Sequence, residues 1–165
     1  EGKEIGYILD DLPVWNPDGA AKAKAEELAT QPGAITLPSG VFKLEELISM
    51  LNTLPIDITF VDKDDTVKYF SEGKERIFPR PRTAIGRNVE NCHPPASVHI
   101  VKDIIRDFKS GKKDHEDFWI NMRGMLVLIR YFAVRDQNGE YLGVLEMSQN
   151  IKPLQELTGE KRLMS

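Results

Sequence analysis

Apolar residues along the chain recur at helical spacing, then alternate, then repeat both patterns, and these changes of period divide it into elements. Leu44, Leu47, Ile48, Leu51 and Leu54 fall three or four positions apart, which predicts an amphipathic helix over Lys43 to Leu54 with one apolar stripe. Pro55 ends it. From Ile56 the period drops to two: Ile56, Ile58 and Phe60 alternate with Asp57, Thr59 and Val61, the pattern of a half-buried strand. Asp62-Lys63-Asp64-Asp65 reads as a turn and Thr66 to Ser71 as the returning strand. A short helix is predicted over Glu72 to Phe78, stopped by Pro79 and Pro81. Val98, Val101, Ile104, Ile105 and Phe108 then trace one face of a helix from Pro94 to Ser110, with Gly111 as its stop. Three strands follow, at His115 to Arg123, Met125 to Arg135 and Tyr141 to Asn150. Arg123-Gly124 and Gln137-Asn138-Gly139 are their turns, and Asn-Gly is a strong hairpin signal.

The two ends carry weaker patterns. Residues 1–41 hold Pro13, Pro17, Pro32 and Pro38 around one predicted helix, Gly19 to Thr30, rich in alanine and charge. Such a helix has good propensity but little apolar surface to bury, so residues 1–41 read as a linker closed by Leu37-Pro38-Ser39-Gly40. Lys152 to Met164 reads as an exposed helical tail. The expected division is therefore a linker at 1–41, one domain at 43–151 and a tail at 152–165.

Composition narrows the class without naming a function. With 165 residues, 41% hydrophobic, 29% charged and a net charge of −4, the chain has the profile of an ordinary globular protein. No apolar run reaches the roughly 20 residues of a membrane span, and Glu1-Gly2-Lys3-Glu4 does not begin a signal peptide; a cytoplasmic location is expected. The mild acidity argues against nucleic acid. The single cysteine, Cys92, cannot form an internal disulfide or a cysteine-rich metal site. The first residue is not Met, which suggests a piece of a longer protein.

Two strands, short helices, one longer helix and a three-strand meander resemble the order of a PAS sensory domain. Val61-Asp62-Lys63-Asp64-Asp65 looks like its first hairpin, Ile85-Gly86-Arg87 followed by His93-Pro94 looks like its core signature, and Gly139-Glu140-Tyr141-Leu142-Gly143 like the approach to its last strand. The resemblance implies an α+β fold, a five-stranded antiparallel sheet with helices on one face, flanked by the N-terminal amphipathic helix and the C-terminal tail. Leu54-Pro55, Thr59-Phe60-Val61-Asp62, Tyr69-Phe70-Ser71, Asn91-Cys92-His93-Pro94-Pro95 and Arg130-Tyr131-Phe132 are similar to prokaryotic proteins of unknown function in which a PAS domain follows a hemerythrin-like bundle. That similarity implies a hemerythrin-like module in the full-length protein. Gln149-Asn150-Ile151 replaces the Asp-Ile-Thr with which many PAS domains close.

The residues that could carry chemistry are few, and each has a plainer reading. Cys92 and His93 could ligate haem iron or another metal, or sense oxidation; equally, His-Pro starts the long helix and Cys92 is a small hydrophobe. His99 lies six positions after His93, so the two are not an i,i+4 metal pair; alone His99 could be an axial haem or metal ligand, its plainer reading being a histidine with ordinary hydrogen bonds. Val89, not cysteine, follows Gly86-Arg87-Asn88, which disfavours covalent flavin photochemistry while leaving flavin binding open. Lys74, Arg76, Arg80, Arg82 and Arg87 could hold an anionic group or form a solvated face paired with Asp62 to Asp65. Arg130 interrupts an apolar strand and faces either solvent or a pocket, while Phe108, Trp119, Tyr131 and Met147 could line a ligand site or simply pack.

No phosphate-cradling loop, nucleophile elbow or zinc-protease helix is present, so catalysis is not expected. The expectation is a sensory domain that binds a small ligand between sheet and helix and relays it to a neighbouring module or a second copy, as a homodimer. The rivals are a ligand-free interaction module and a haem- or metal-dependent redox sensor; neither haem nor flavin is required.

Overall fold

The computed structural model describes residues 26–74 and 76–163. It falls into two compact units that meet between Ser49 and Met50. In the first unit, residues 26–29 are helical, and the rest of the helix predicted from Gly19 lies outside the described residues. The predicted linker then contains a hairpin: β1 (Ala34–Leu37) pairs antiparallel with β2 (Gly40–Lys43). Leu37-Pro38-Ser39-Gly40, read from sequence as a closing turn, is the turn of that hairpin, with Leu37 opposite Gly40. The amphipathic helix follows directly as α1 (Leu44–Thr53), crossing from the first unit into the second.

The second unit is built on a five-stranded antiparallel sheet in the order β4-β3-β7-β6-β5. The strands are β3 (Asp57–Asp62), β4 (Val67–Phe70), β5 (His115–Met122), β6 (Met125–Arg135) and β7 (Tyr141–Asn150). The meander β5-β6-β7 is held by local turns: Arg123 and Gly124 both have positive φ, 49° and 77°, as a two-residue hairpin turn requires. The last strand returns to the centre and pairs with β3 from Asp57↔Ser148 to Asp62↔Gly143.

One helix, α2 (Pro95–Lys109), covers one face of the sheet. Its start is set by Pro94 and Pro95, whose missing N–H groups cost nothing at a helix N-terminus. Its end follows from Gly111 at φ 72°. Val101, Ile104, Ile105 and Phe108 are its buried residues. They pack with Val61, Val67, Val89 and Val144 into the core, and Phe118, Tyr131, Ala133 and Tyr141 join it from the sheet. Ile85-Gly86-Arg87 lies along the edge of β4: Gly86 N–H donates to Val67 O, and Val67 N–H donates to Arg87 O. A φ of 82° at Gly86 shapes that crossing.

Two expectations change, and one open reading is decided. The alternation in β3 left its buried side open; Asp57, Thr59 and Val61 are the buried residues, with Val61 packed in the core beside α2 and Asp57 covered by the segment whose Ile77 and Phe78 N–H groups donate to it. The helix predicted at Glu72 to Phe78 does not form among the described residues. Its backbone groups bond to side chains instead: Ile77 and Phe78 N–H donate to the Asp57 carboxylate, and Arg76 donates to the carbonyls of Ser71 and Phe78. The tail is helical only as α3 (Lys152–Gln155). Leu154, Leu157 and Leu163 remain exposed there, so no apolar face stabilises a longer helix. Among the described residues, no helix is long and apolar enough to cross a membrane.

Candidate functional site

The space between α2 and the sheet is nearly filled. A cavity of about 20 Å³ remains, walled by Val61, Val89, Val101, Ile104, Ile105 and Val144, with His93, Tyr131 and Glu146 at its polar end. That volume suits a single water molecule. The polar residues arrive from three elements. His93 stands in extended conformation just before Pro94, as a residue preceding proline prefers, and Tyr131 and Glu146 are register partners on β6 and β7.

Glu146 is the centre of this end. Its Oε1 accepts from Arg80 Nη2 at 2.6 Å, with the two side chains 13% and 12% exposed. The Tyr131 hydroxyl lies near the Glu146 carboxylate, and burial first, then that negative charge, pushes the phenol's pKa well above its ordinary value. Buried Thr59 lies opposite Glu146 on β3. Burial lowers the pKa of His93, Glu146 pulls it back up, and Arg80 adds to the lowering, so the site favours the neutral imidazole. Beside this group a second pair is formed by Arg76 and Asp57 at 3.8 Å. Arg80 Nε, Arg76 Nη2 and Ser148 Oγ are buried with no hydrogen-bond partner among the described residues.

The candidate residues separate into two groups. His93, Tyr131, Cys92 and Phe108 belong to the interior: His93 and Tyr131 line the cavity, Phe108 is fully buried, and Cys92 packs against the core. Trp119, Arg130 and Met147 lie on the opposite face of the sheet, where Met147 is register partner to both Ile58 and Arg130. Arg130 pairs there with Asp117 at 3.1 Å and stacks over Phe132. His99 is exposed on α2. The basic run does not pair with the acidic turn. Arg76, Arg80 and Arg82 take Asp57, Glu146 and Glu72, while Asp62 and Asp65 take Lys68 and Lys109.

Cys92, His93 and His99 are not gathered into a ligand set, and no group of three or more His, Cys, Asp or Glu suited to a metal occurs among the described residues. Haem and flavin do not fit between sheet and helix, since either is many times larger than about 20 Å³.

Sequence reasoning missed Glu146 and saw Arg80 only as one of several cations. The available signal was Glu146 itself, the single carboxylate between Tyr141 and Asn150 in an otherwise uncharged strand. Its partner lies 66 residues away, beyond the reach of any local pattern.

The architecture recurs in known proteins. The chain is 38% identical to the C-terminal domain of a Streptococcus mutans protein of known crystal structure, with a TM-score of 0.71 over 76% of this chain and 97% of that one. It is 17% identical to the PAS domain of Bordetella pertussis BvgS, with a TM-score of 0.51 over 66% of this chain and 86% of that one. Nothing among curated proteins matches. The family model described as a PAS domain matches residues 47–152, the stretch that builds the five-stranded sheet and α2, and the chain belongs to the PAS domain family.

Proposed function

We propose that this is a non-catalytic sensory PAS domain that binds a small ligand at the Glu146 end of its interior and passes the change through the sheet to a second copy of the chain. The observation that carries this reading is the buried ion pair between Arg80, on an irregular segment, and Glu146, on the central strand β7, where Glu146 also lines the small apolar cavity. A buried ion pair of this kind gives no more stability than a well-packed apolar pair, so stability alone does not explain why charge is placed there.

The route outward is short. Leu145 and Met147, the chain neighbours of Glu146, point to the other face, in register with Phe60 and Phe132 and with Ile58 and Arg130 respectively. Trp119 stands 67% exposed on that face. Arg130 and Asp117 place both signs of charge side by side, which lets a two-fold related copy meet the same patch with complementary charge.

A second reading, a closed interaction module without a ligand, is favoured by the small size of the cavity. Amide NMR spectra of the wild type and Glu146→Gln discriminate between them. The sensory reading expects shifts to spread from the interior to Phe60, Trp119 and Phe132; shifts confined to the neighbours of Glu146 in the core favour the closed module.

A further inference from the structure

The way the interior is closed indicates what opens it. Glu146 is fixed on β7, hydrogen-bonded between β3 and β6, whereas Arg80 belongs to a segment without regular structure. A ligand entering here displaces the partner that lies outside the sheet. The group then left without its direct ion-pair partner is a buried carboxylate, with Arg76 as the remaining cation in its neighbourhood, and it selects a cation.

Arg80 fills this role incompletely. It reaches Glu146 through Nη2, while its Nε is buried without a partner among the described residues, so the guanidinium does not make the two-pronged contact with Glu146 of which it is capable. An ammonium group is more compact and carries three donors. Glu146, the Tyr131 hydroxyl oxygen and an unprotonated nitrogen of His93 are acceptors at one end of the cavity. The remaining walls are the aliphatic side chains of Val61, Val89, Val101, Ile104, Ile105 and Val144, which offer a carbon chain contact and no hydrogen bonds. A carboxylate ligand would instead meet Glu146 in a low-dielectric site.

Resting on the sensory reading above, we infer that this site takes a small primary amine with a short aliphatic chain, whose ammonium replaces the Arg80 guanidinium at Glu146. Arg80 then turns to solvent, where its charge is hydrated, and the vacated volume receives the chain.

The test titrates the full chain with n-butylammonium chloride, sodium butyrate and n-butanol at constant ionic strength, read by calorimetry and thermal unfolding. Butylammonium is expected to bind the wild type, to bind Arg80→Ala about tenfold more tightly because no latch is displaced, and to lose binding in Glu146→Gln. Butyrate or butanol binding as well as the amine would overturn the amine assignment and leave the ligand site standing. Absence of any binding to both wild type and Arg80→Ala would overturn the amine assignment, while the sensory reading is decided separately by how far the amide shifts of Glu146→Gln spread. Should Arg80→Ala fail to fold, the wild type decides alone: an amine-specific midpoint shift supports the inference, and its absence overturns it.

Discussion

Arg80 Nη2 lies 2.6 Å from Glu146 Oε1 and ties the irregular crossing segment to the centre of the sheet across 66 residues of sequence. Both side chains are about seven-eighths buried, so removing one charge strands the other. Glu146→Gln is expected to destabilise the fold by about 3 kcal/mol. The double variant Arg80→Met with Glu146→Leu should recover most of that loss, because no uncompensated charge remains. Urea unfolding of the three proteins measures both effects.

His93 gives the fold a dependence on mildly acidic pH. Burial sets its pKa below the ordinary 6.5, so the unfolded chain binds a proton there before the folded one does. Stability from this group is complete above about pH 6.5 and declines as pH falls through the window between the unfolded and folded values. His93→Asn should flatten the stability profile between pH 7.5 and 5.5. An unchanged slope would remove His93 as its source.

Phe108 is fully buried where α2 meets the sheet. Phe108→Ala should cost about 3–5 kcal/mol, a loss large enough to unfold a marginal domain near 37 °C. Thermal unfolding monitored by circular dichroism checks it.

Gly143 has φ 154° on β7, and a Cβ there would collide with the carbonyl oxygen of Val61 on β3. Gly143→Ala is expected to lower stability by more than about 2 kcal/mol through strain and separation of the central strands. Gly139→Ala meets no neighbouring atom and carries only the strain of its own φ of 84°, so it should cost less. Parallel denaturation curves rank the two.

The order of elements was legible because period changes are local. The stripe from Val98 to Phe108 gave α2, and the alternation after His115 with its turns gave the meander. Burial was harder to assign. Both faces of β3 carry apolar side chains, so the pattern could not show that Asp57 and Thr59 are on the buried side. The segment after Ser71 failed as a helix because Asp57, far earlier in the chain, captures its N–H groups. The hairpin at Ala34–Lys43 was missed because each strand is four residues long, too short for alternation to stand out. Of the site, His93 and Tyr131 were visible as unusual residues in signature segments. The role of Glu146 rests on a distant partner and became visible only in three dimensions.

The central claim is that the Arg80–Glu146 latch inside the sheet is coupled to the face that bears Trp119 and Arg130. Sedimentation equilibrium of the wild type and Arg80→Ala tests it most directly. The account predicts a wild-type dimer whose dissociation constant changes by about fivefold or more when the latch is removed. Identical dissociation constants, or a monomer in both cases, would contradict it.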